Sequence, residues 1–186
     1  MKYILASNSP RRKELLAGLG LDFEVKVMQG IDESFPASLP AAEVSEYISE
    51  KKAAAYLSTL KEDELLITAD TVVICGEEIL GKPKDAADAH RMLRELSGKT
   101  HQVTTGVCLS TCEKQRHFSV TTDVTFKEFS EEEIDFYIEN YRPFDKAGAY
   151  GIQEWIGYIG CTGLKGSYYN VMGLPVQRIY EELKKF

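Results

Sequence analysis

Apolar residues recur along the chain with two different periods, which together predict a mixture of β-strands and α-helices. Strand patterns cover five segments, at residues 2–7, 23–27, 64–75, 100–112 and 117–129. Residues 2–7 have the pattern of a short buried strand, and the other segments alternate apolar and polar residues or are rich in β-branched residues. The last two flank the polar turn EKQR, so they predict a hairpin.

Helical periodicity covers five further segments, at residues 10–20, 41–60, 86–98, 131–141 and 174–186. Ser130 and Glu133 have the spacing of a capping box at the start of the fourth helix. Residues 29–40 and 76–85 are predicted loops, and residues 142–173 are rich in Gly and Tyr with little periodicity. Helices mixed with strands that include a hairpin predict an α/β fold with a mixed sheet. A chain of 186 residues predicts one domain, residues 1–186.

The start of the first predicted helix carries positive charge, although helix stability favours acidic side chains at that end. Ser9 has the character of an N-cap, and Pro10 suits the first helical position. Arg11 and Arg12 then lie in the first turn, where the helix dipole disfavours cations. This arrangement indicates a site for an anion, because a helix N-terminus also binds anions through its free N–H groups.

The bulk composition limits the partners that this chain can have. The formal net charge is −7, so a non-specific nucleic-acid binder is not expected, and an anion site must be a local basic cluster. The four cysteines form no CxxC pair and are interpreted as reduced thiols. The N-terminal apolar run is too short for a signal peptide, and no stretch predicts a membrane span. We therefore expect a cytoplasmic protein.

Asp70 stands out because it lies inside the strand ELLITADTVVIC, where burying an unpaired carboxylate is costly. It is a candidate metal ligand, general base or both. Other charged positions are weak signals when taken one at a time. Lys52 lies in a helix and Lys82 in a Gly-Lys-Pro turn, while Glu33 follows Asp32 in a loop.

Together these residues predict a polyanion site that uses a hard metal. Arg11, Arg12, Lys52 and Lys82 supply positive charge for a triphosphate. The carboxylates of Asp70 and Glu33 are oxygen ligands that suit Mg²⁺. The stretch GLKGS lacks the spacing of a phosphate-binding P-loop. The three histidines are far apart in the sequence, which argues against zinc chemistry.

Seven motifs in order give the chain a resemblance to a known family. They are LASNSPRRKELL, DES, KKA, TADTVV, GKP, KAGAYGIQ and GSYYNVMGLP. The sequence resembles the Maf family of nucleoside triphosphate pyrophosphatases, which were once described as inhibitors of septum formation. The resemblance implies a fold akin to that of inosine-triphosphate pyrophosphatases, with an elongated mixed sheet, flanking helices and two lobes around a cleft. It also implies hydrolysis between the α- and β-phosphates, with a divalent cation (Mg²⁺ or Mn²⁺), to a nucleoside monophosphate and pyrophosphate.

The resemblance also implies roles for single residues. The catalytic residues would be Asp70 as the acid–base residue, with Glu33, Lys52 and Lys82, and the metal would be held by Asp70 and Glu33. The substrate-binding residues would be Ser7, Ser9, Arg11, Arg12, Thr71, Lys146 and Gln153. The branch similar to dTTP/UTP pyrophosphatases carries Arg, Thr and Gln at three specificity positions. This chain has Arg12, Thr71 and Gln153 there, and a Gln amide can pair with the O4 and N3–H edge of uracil and thymine.

Two other functions stay open on the sequence. One is a pyrophosphatase for a damaged purine nucleotide such as ITP, and the other is a nucleotide-binding regulator of cell division without turnover. The expected partner in every case is a nucleoside triphosphate, with no nucleic acid and no membrane. The resemblance is compatible with a homodimer.

Overall fold

The computed structural model describes residues 1–186, and its elements alternate between strands and helices. The strands are β1 (Lys2–Leu5), β2 (Phe23–Val25), β3 (Glu64–Cys75), β4 (Glu78–Leu80), β5 (Thr100–Ser110), β6 (Gln115–Phe126) and β7 (Cys161–Lys165). The helices are α1 (Pro10–Ala17), α2 (Ala41–Tyr56), α3 (Ala86–Leu96), α4 (Glu131–Tyr141), α5 (Trp155–Gly160), α6 (Tyr168–Met172) and α7 (Val176–Leu183). Two 3-10 turns cover Leu57–Thr59 and Ala147–Ala149. None of the helices combines the length and the apolar character needed to cross a bilayer.

The strands form one seven-stranded mixed sheet. Its order is β2-β1-β3-β5-β6-β7, and β4 pairs with β3 outside this path. The pairs β1–β2 and β1–β3 are parallel, whereas β3–β4 and β6–β7 are antiparallel. The expected α/β class with a mixed sheet is therefore confirmed.

The chain divides into two compact units. The first contains residues 1–71, 105–120 and 173–186, and the second contains residues 72–104 and 121–172. The division falls within β3, β5 and β6, so each of these long strands supplies residues to both units.

In the first unit, helix α2 packs directly on the sheet. Gly106 of β5 makes this possible, because a Cβ at that position would overlap the backbone of Ser45 and Glu46. Ser49 of α2 is fully buried, and its carbonyl oxygen accepts a hydrogen bond from the Thr68 hydroxyl at 2.7 Å. The helix therefore has a set height and rotation above β3, which matters for the side chains that it directs towards the end of that strand.

The second unit has an aromatic core. Phe126 lies 4.9 Å from Tyr150 and 5.0 Å from His101, measured between ring centroids. The His101 Nε2 and the Tyr150 hydroxyl are 2.6 Å apart, while His101 Nδ1 is buried without a partner. Burial lowers the pKa of His101 to about 4, so the ring is neutral at physiological pH.

Several predicted local features are confirmed. The predicted hairpin is present, but its turn covers residues 111–114, two residues before the predicted turn EKQR, and is closed by a 2.8 Å bond from Thr111 N–H to the Lys114 carbonyl. Ser130 and Glu133 form the complete capping box. Ser9 caps α1 by accepting from Arg12 N–H, and Pro10 is the first helical residue.

Other predictions on element boundaries were wrong. Helix α1 ends at Ala17 rather than at residue 20, and the predicted loop 76–85 contains β4. Residues 142–173 contain α5, β7 and α6, although their sequence has little periodicity. These elements depend on close packing instead, since a Cβ at Gly160 would overlap the Phe129 ring. Such contacts leave no periodic signal in a sequence.

Candidate active site

Arg12 joins the start of α1 to the middle of β3. Its guanidinium donates to the Gly173 carbonyl at 2.8 Å, to the Ala69 carbonyl at 2.9 Å and to the Thr71 hydroxyl at 3.0 Å. Enclosure of the guanidinium lowers the pKa of Arg12, an effect only partly offset by the negative charge of Asp70. The side chain is therefore oriented by three protein oxygens, and two of the three predicted specificity residues, Arg12 and Thr71, are in direct contact.

The start of α1 and the segment just before it contain three more of the predicted substrate-binding residues. Ser7 is buried, and its hydroxyl accepts a 3.2 Å hydrogen bond from Ser9 N–H. Ser9 in turn caps the helix, while Arg11 is half-buried in the first turn. This segment directs backbone N–H groups and a basic side chain to one helix end, which is the arrangement that favours an anion.

Lys52, Asp70 and Glu33 form the densest charged cluster of the predicted set. The Lys52 ammonium on α2 lies 2.8 Å from Asp70 Oδ1 on β3 and 3.3 Å from Glu33 Oε1 in the loop before α2. The Lys52 and Asp70 side chains are 13% and 14% exposed, whereas that of Glu33 is 57% exposed. One cation therefore contacts two carboxylates that are 37 residues apart in the sequence, all within the first unit.

The loop that carries Glu33 is fastened by the preceding residue. Asp32 accepts from Ser34 N–H at 2.9 Å and from Lys51 Nζ at 2.8 Å, and Lys51 also donates to the Ser34 carbonyl at 2.7 Å. The hydrogen bond from Lys51, followed by those from Ser34, lowers the pKa of Asp32 well below its usual range. The two successive lysines of α2 therefore make different contacts with this loop. Lys51 binds Asp32 and Ser34, whereas Lys52 contacts the Glu33 carboxylate.

The second unit contains the other predicted residues, Lys82, Lys146 and Gln153. Lys146 and Gln153 approach each other around Gly151, where a Cβ would lie 3.0 Å from Lys146 Cε and 3.3 Å from Gln153 Nε2. Lys82 is exposed in the turn after Gly81, whose carbonyl accepts from Gly148 N–H at 3.1 Å. The turn with Lys82 is therefore bonded to the segment that follows Lys146.

The carboxylates of Asp70 and Glu33, which both contact the Lys52 ammonium, are suited to binding a hard divalent cation. Asp70 and Glu33 already direct oxygen atoms to a single point of positive charge, and oxygen is the ligand that Mg²⁺ and Mn²⁺ prefer. A separate group with ligand atoms within 4.8 Å of one another consists of Glu46, Glu50 and His117. Sequence analysis did not predict that group, although Glu46 and Glu50 have the i, i+4 spacing of one helix face.

Three residues with close contacts to the predicted set carry no local sequence signal of their own: Lys51, Tyr137 and Glu154. The contact of Lys51 with Asp32 becomes evident only when α2 is placed against the loop. Glu154 follows Gln153 but belongs to no recognisable motif. Tyr137 lies on α4, and its hydroxyl reaches the segment of Gly151 and Glu154 only in the folded second unit.

Comparison with known proteins identifies the family of this chain. The family model described as "Maf-like protein" matches residues 2–186. The chain belongs to the Maf family. This Maf chain is 62% identical over 184 residues to a Phocaeicola vulgatus protein named dTTP/UTP pyrophosphatase, covering 99% of this chain and 95% of that one. It is 59% identical over 182 residues to a Bacteroides thetaiotaomicron protein of the same name, covering 98% and 94%.

A solved structure shows the same fold at much lower identity. The Staphylococcus aureus Ham1 protein superposes with a TM-score of 0.55 at 15% identity, and the match covers 100% of this Maf chain and 99% of that chain. The likeness concerns the fold alone.

Proposed function

We propose that this Maf chain hydrolyses dTTP and UTP between the α- and β-phosphates, releasing a nucleoside monophosphate and pyrophosphate. The observation that carries the proposal is the cluster of Lys52, Asp70 and Glu33, which combines a phosphate-neutralising cation with two carboxylates. The names of the two relatives with 62% and 59% identity support the choice of substrate.

Asp70 and Glu33 are the residues that would hold a divalent cation, Mg²⁺ or Mn²⁺. When bound, the cation offsets phosphate charge and helps to orient the α-phosphate. Lys52 contacts Asp70 through Oδ1, which leaves Oδ2 to accept a proton from the attacking water. The water oxygen bonds to the α-phosphorus, the bond to the bridging oxygen breaks, and pyrophosphate leaves with the electron pair.

The basic residues provide the electrostatic part of the reaction. Arg11, Lys52, Lys82 and Lys146 would bind phosphate oxygens, and Ser7 and Ser9 would bind them at the segment that leads into α1. Stabilising charge that develops in the transition state is the largest contribution in phosphoryl transfer generally. Arg12 and Thr71 contact each other at 3.0 Å in the first unit, and we assign both to substrate specificity.

Gln153 is the proposed reader of the base. Its Oε1 atom is buried and has no hydrogen-bond partner. A buried amide oxygen without a partner is costly, and a ligand N–H would relieve that cost. Uracil and thymine share an N3–H donor beside an O4 acceptor, which complements the carboxamide of Gln153. We place the reaction in the cytoplasm, where the four free cysteines would stay reduced.

Pyrophosphate release from a panel of dTTP, UTP, CTP, GTP and ITP tests the proposal. The panel is run with Mg²⁺, with Mn²⁺ and with EDTA, on the wild type, Asp70→Asn and the control Asp63→Asn. Asp63 is exposed and immediately precedes β3, so its substitution changes the same residue type outside the cluster. We expect metal-dependent release from dTTP and UTP that Asp70→Asn loses and Asp63→Asn keeps.

Two results would replace the proposal. Preference for ITP would assign the chain to damaged purine nucleotides. Saturable nucleotide binding without release from any triphosphate would assign it to regulation without turnover.

A further inference from the structure

Glu154 connects the two predicted substrate-binding residues of the second unit. It directly precedes α5, and its side chain is 20% exposed. One oxygen, Oε1, lies 3.0 Å from the ammonium of Lys146, and the other, Oε2, accepts from the Tyr137 hydroxyl at 2.6 Å. The Tyr137 oxygen in turn accepts from Gly151 N–H at 3.0 Å. A single carboxylate therefore reaches both Lys146 and the backbone two residues before Gln153.

Gly151 lies where these groups meet. A Cβ at this position would lie 3.0 Å from Lys146 Cε, 3.2 Å from Glu154 Cδ and 3.3 Å from Gln153 Nε2. Contacts of 3.0–3.3 Å are tighter than ordinary packing, so the absence of a side chain lets all three residues converge. The side chains of Lys146, proposed to bind phosphate, and Gln153, proposed to read the base, therefore both pack closely around Gly151.

In its bond to Glu154, Tyr137 is the donor. It is fully buried, and burial together with the hydrogen bond to Glu154 raises the pKa of its hydroxyl. The proton therefore stays on Tyr137, and the short bond fixes the Glu154 carboxylate. A charge-assisted hydrogen bond of this kind is stronger than one between neutral groups.

Lys146 has a second acidic neighbour that differs in exposure. Asp145 Oδ1 also lies 3.0 Å from Lys146 Nζ, but the Asp145 side chain is 59% exposed, whereas that of Lys146 is 10% exposed. An exposed ion pair orients its partner weakly. Without Glu154, the ammonium would be left with this exposed partner and would turn towards solvent.

We propose that Glu154 is a positioning residue that holds Lys146 for the triphosphate and, through Tyr137 and Gly151, holds Gln153 for the base. This inference rests on the proposed function, because it concerns the same substrate. It adds a residue that neither the sequence motifs nor the basic charge of the site indicates.

Two substitutions separate the two arms of the network. In Glu154→Gln, the amide oxygen can still accept from Tyr137, but the NH₂ group faces Lys146 and cannot accept a hydrogen bond from its ammonium. In Tyr137→Phe, the ion pair with Lys146 stays and the link to Gly151 is lost. Asp145→Asn is the matched control, since it changes the exposed carboxylate on the same lysine.

The first measurement is steady-state pyrophosphate release from UTP and CTP. We expect Glu154→Gln to raise KM for both nucleotides by about tenfold with a smaller change in kcat, because one charge-assisted hydrogen bond is lost. We expect Tyr137→Phe to lower the ratio of kcat/KM for UTP over CTP by about fivefold. Asp145→Asn should change KM by less than about twofold. Thermal unfolding of each variant identifies any general loss of structure.

The second measurement separates this inference from the proposed function. Binding of α,β-methylene-UTP, which cannot be cleaved between the α- and β-phosphates, is measured by calorimetry. If the wild type binds the analogue but releases no pyrophosphate from UTP, the proposed function fails, and a tenfold weaker affinity of Glu154→Gln still supports the positioning role. Unchanged or tighter binding by a folded Glu154→Gln protein would overturn that role. If the wild type neither binds the analogue nor releases pyrophosphate from UTP, both proposals are overturned.

Discussion

His101 makes the stability of the second unit depend on pH, and the dependence can be calculated from its surroundings. The residue is 1% exposed and packs against Phe126 and Tyr150. Burial lowers its pKa from 6.5 to about 4. Between these values the unfolded chain binds a proton that the folded chain does not, so stability falls as the pH is lowered through 6.5 and levels off below about 4.

The expected magnitude follows from proton linkage. A lowering of the pKa from 6.5 to about 4 costs roughly 3 kcal/mol at the acid limit, and roughly 2 kcal/mol of this is lost by pH 5. The substitution His101→Gln removes the titration, and its amide can still hydrogen-bond to the Tyr150 hydroxyl. Between pH 7 and pH 5, we therefore expect the wild type to lose about 2 kcal/mol more unfolding free energy than the variant.

The assay is urea unfolding at both pH values, followed by fluorescence. Trp155 is the single tryptophan and packs against the core of the second unit, so it reports on the unit that contains His101. Other titrating groups do not disturb the comparison. His117, whose pKa is raised by its hydrogen bond to Glu46, is present in both proteins and cancels. Equal losses in the wild type and the variant would refute the reasoning, because they would mean that His101 is not held neutral by burial.

Four further predictions concern the site and the packing beneath it. Asp70→Asn should lower kcat for UTP by about 10²–10⁴-fold while calorimetry still detects nucleotide binding, and a near-normal kcat would remove Asp70 from proton transfer. Glu33→Gln should raise the Mn²⁺ concentration for half-maximal pyrophosphate release by roughly tenfold, and an unchanged metal titration would exclude it as a ligand. Gln153→Glu should weaken UTP and dTTP turnover relative to GTP, since a carboxylate cannot donate to O4, and unchanged selectivity in the substrate panel would mean that the base is read elsewhere. Gly106→Ala should lower the unfolding free energy by roughly 1–3 kcal/mol, because a Cβ at that position overlaps the backbone of α2. The control Gly163→Ala should change it far less, since a Cβ there meets only the Thr125 side chain at 3.6 Å. Equal effects of the two substitutions in urea unfolding would contradict the packing argument.

Much of the candidate site could be predicted because its signals are local. Asp70 is conspicuous within an otherwise apolar strand, and Ser9 with Pro10 marks a helix start ahead of two arginines. The ordered motifs extend these signals to Lys52 and Gln153. The structure then places Lys52 in contact with Asp70 at 2.8 Å.

Other parts could not be predicted because their signals are not local. The contact of Arg12 with the Gly173 carbonyl spans 161 positions, and no pattern at either residue indicates it. Glu154 has an ordinary sequence context, and its carboxylate is oriented by two groups that are distant or unremarkable in the sequence, Lys146 and the hydroxyl of Tyr137. Strand β7 and the short helices α5 and α6 likewise lack a periodic pattern of apolar residues that would predict them.

The sequence by itself determined the α/β class, most of the strands and helices, and the chemical types at the site, because these depend on patterns within a few residues along the chain. Only the tertiary structure decided which charges meet. Lys51 and Lys52 are neighbours in sequence, but a helix turns about 100° per residue, so one contacts Asp32 and the other Asp70. Such partnerships depend on how α2 packs on β5 at Gly106, and packing of that kind is a property of two distant segments together.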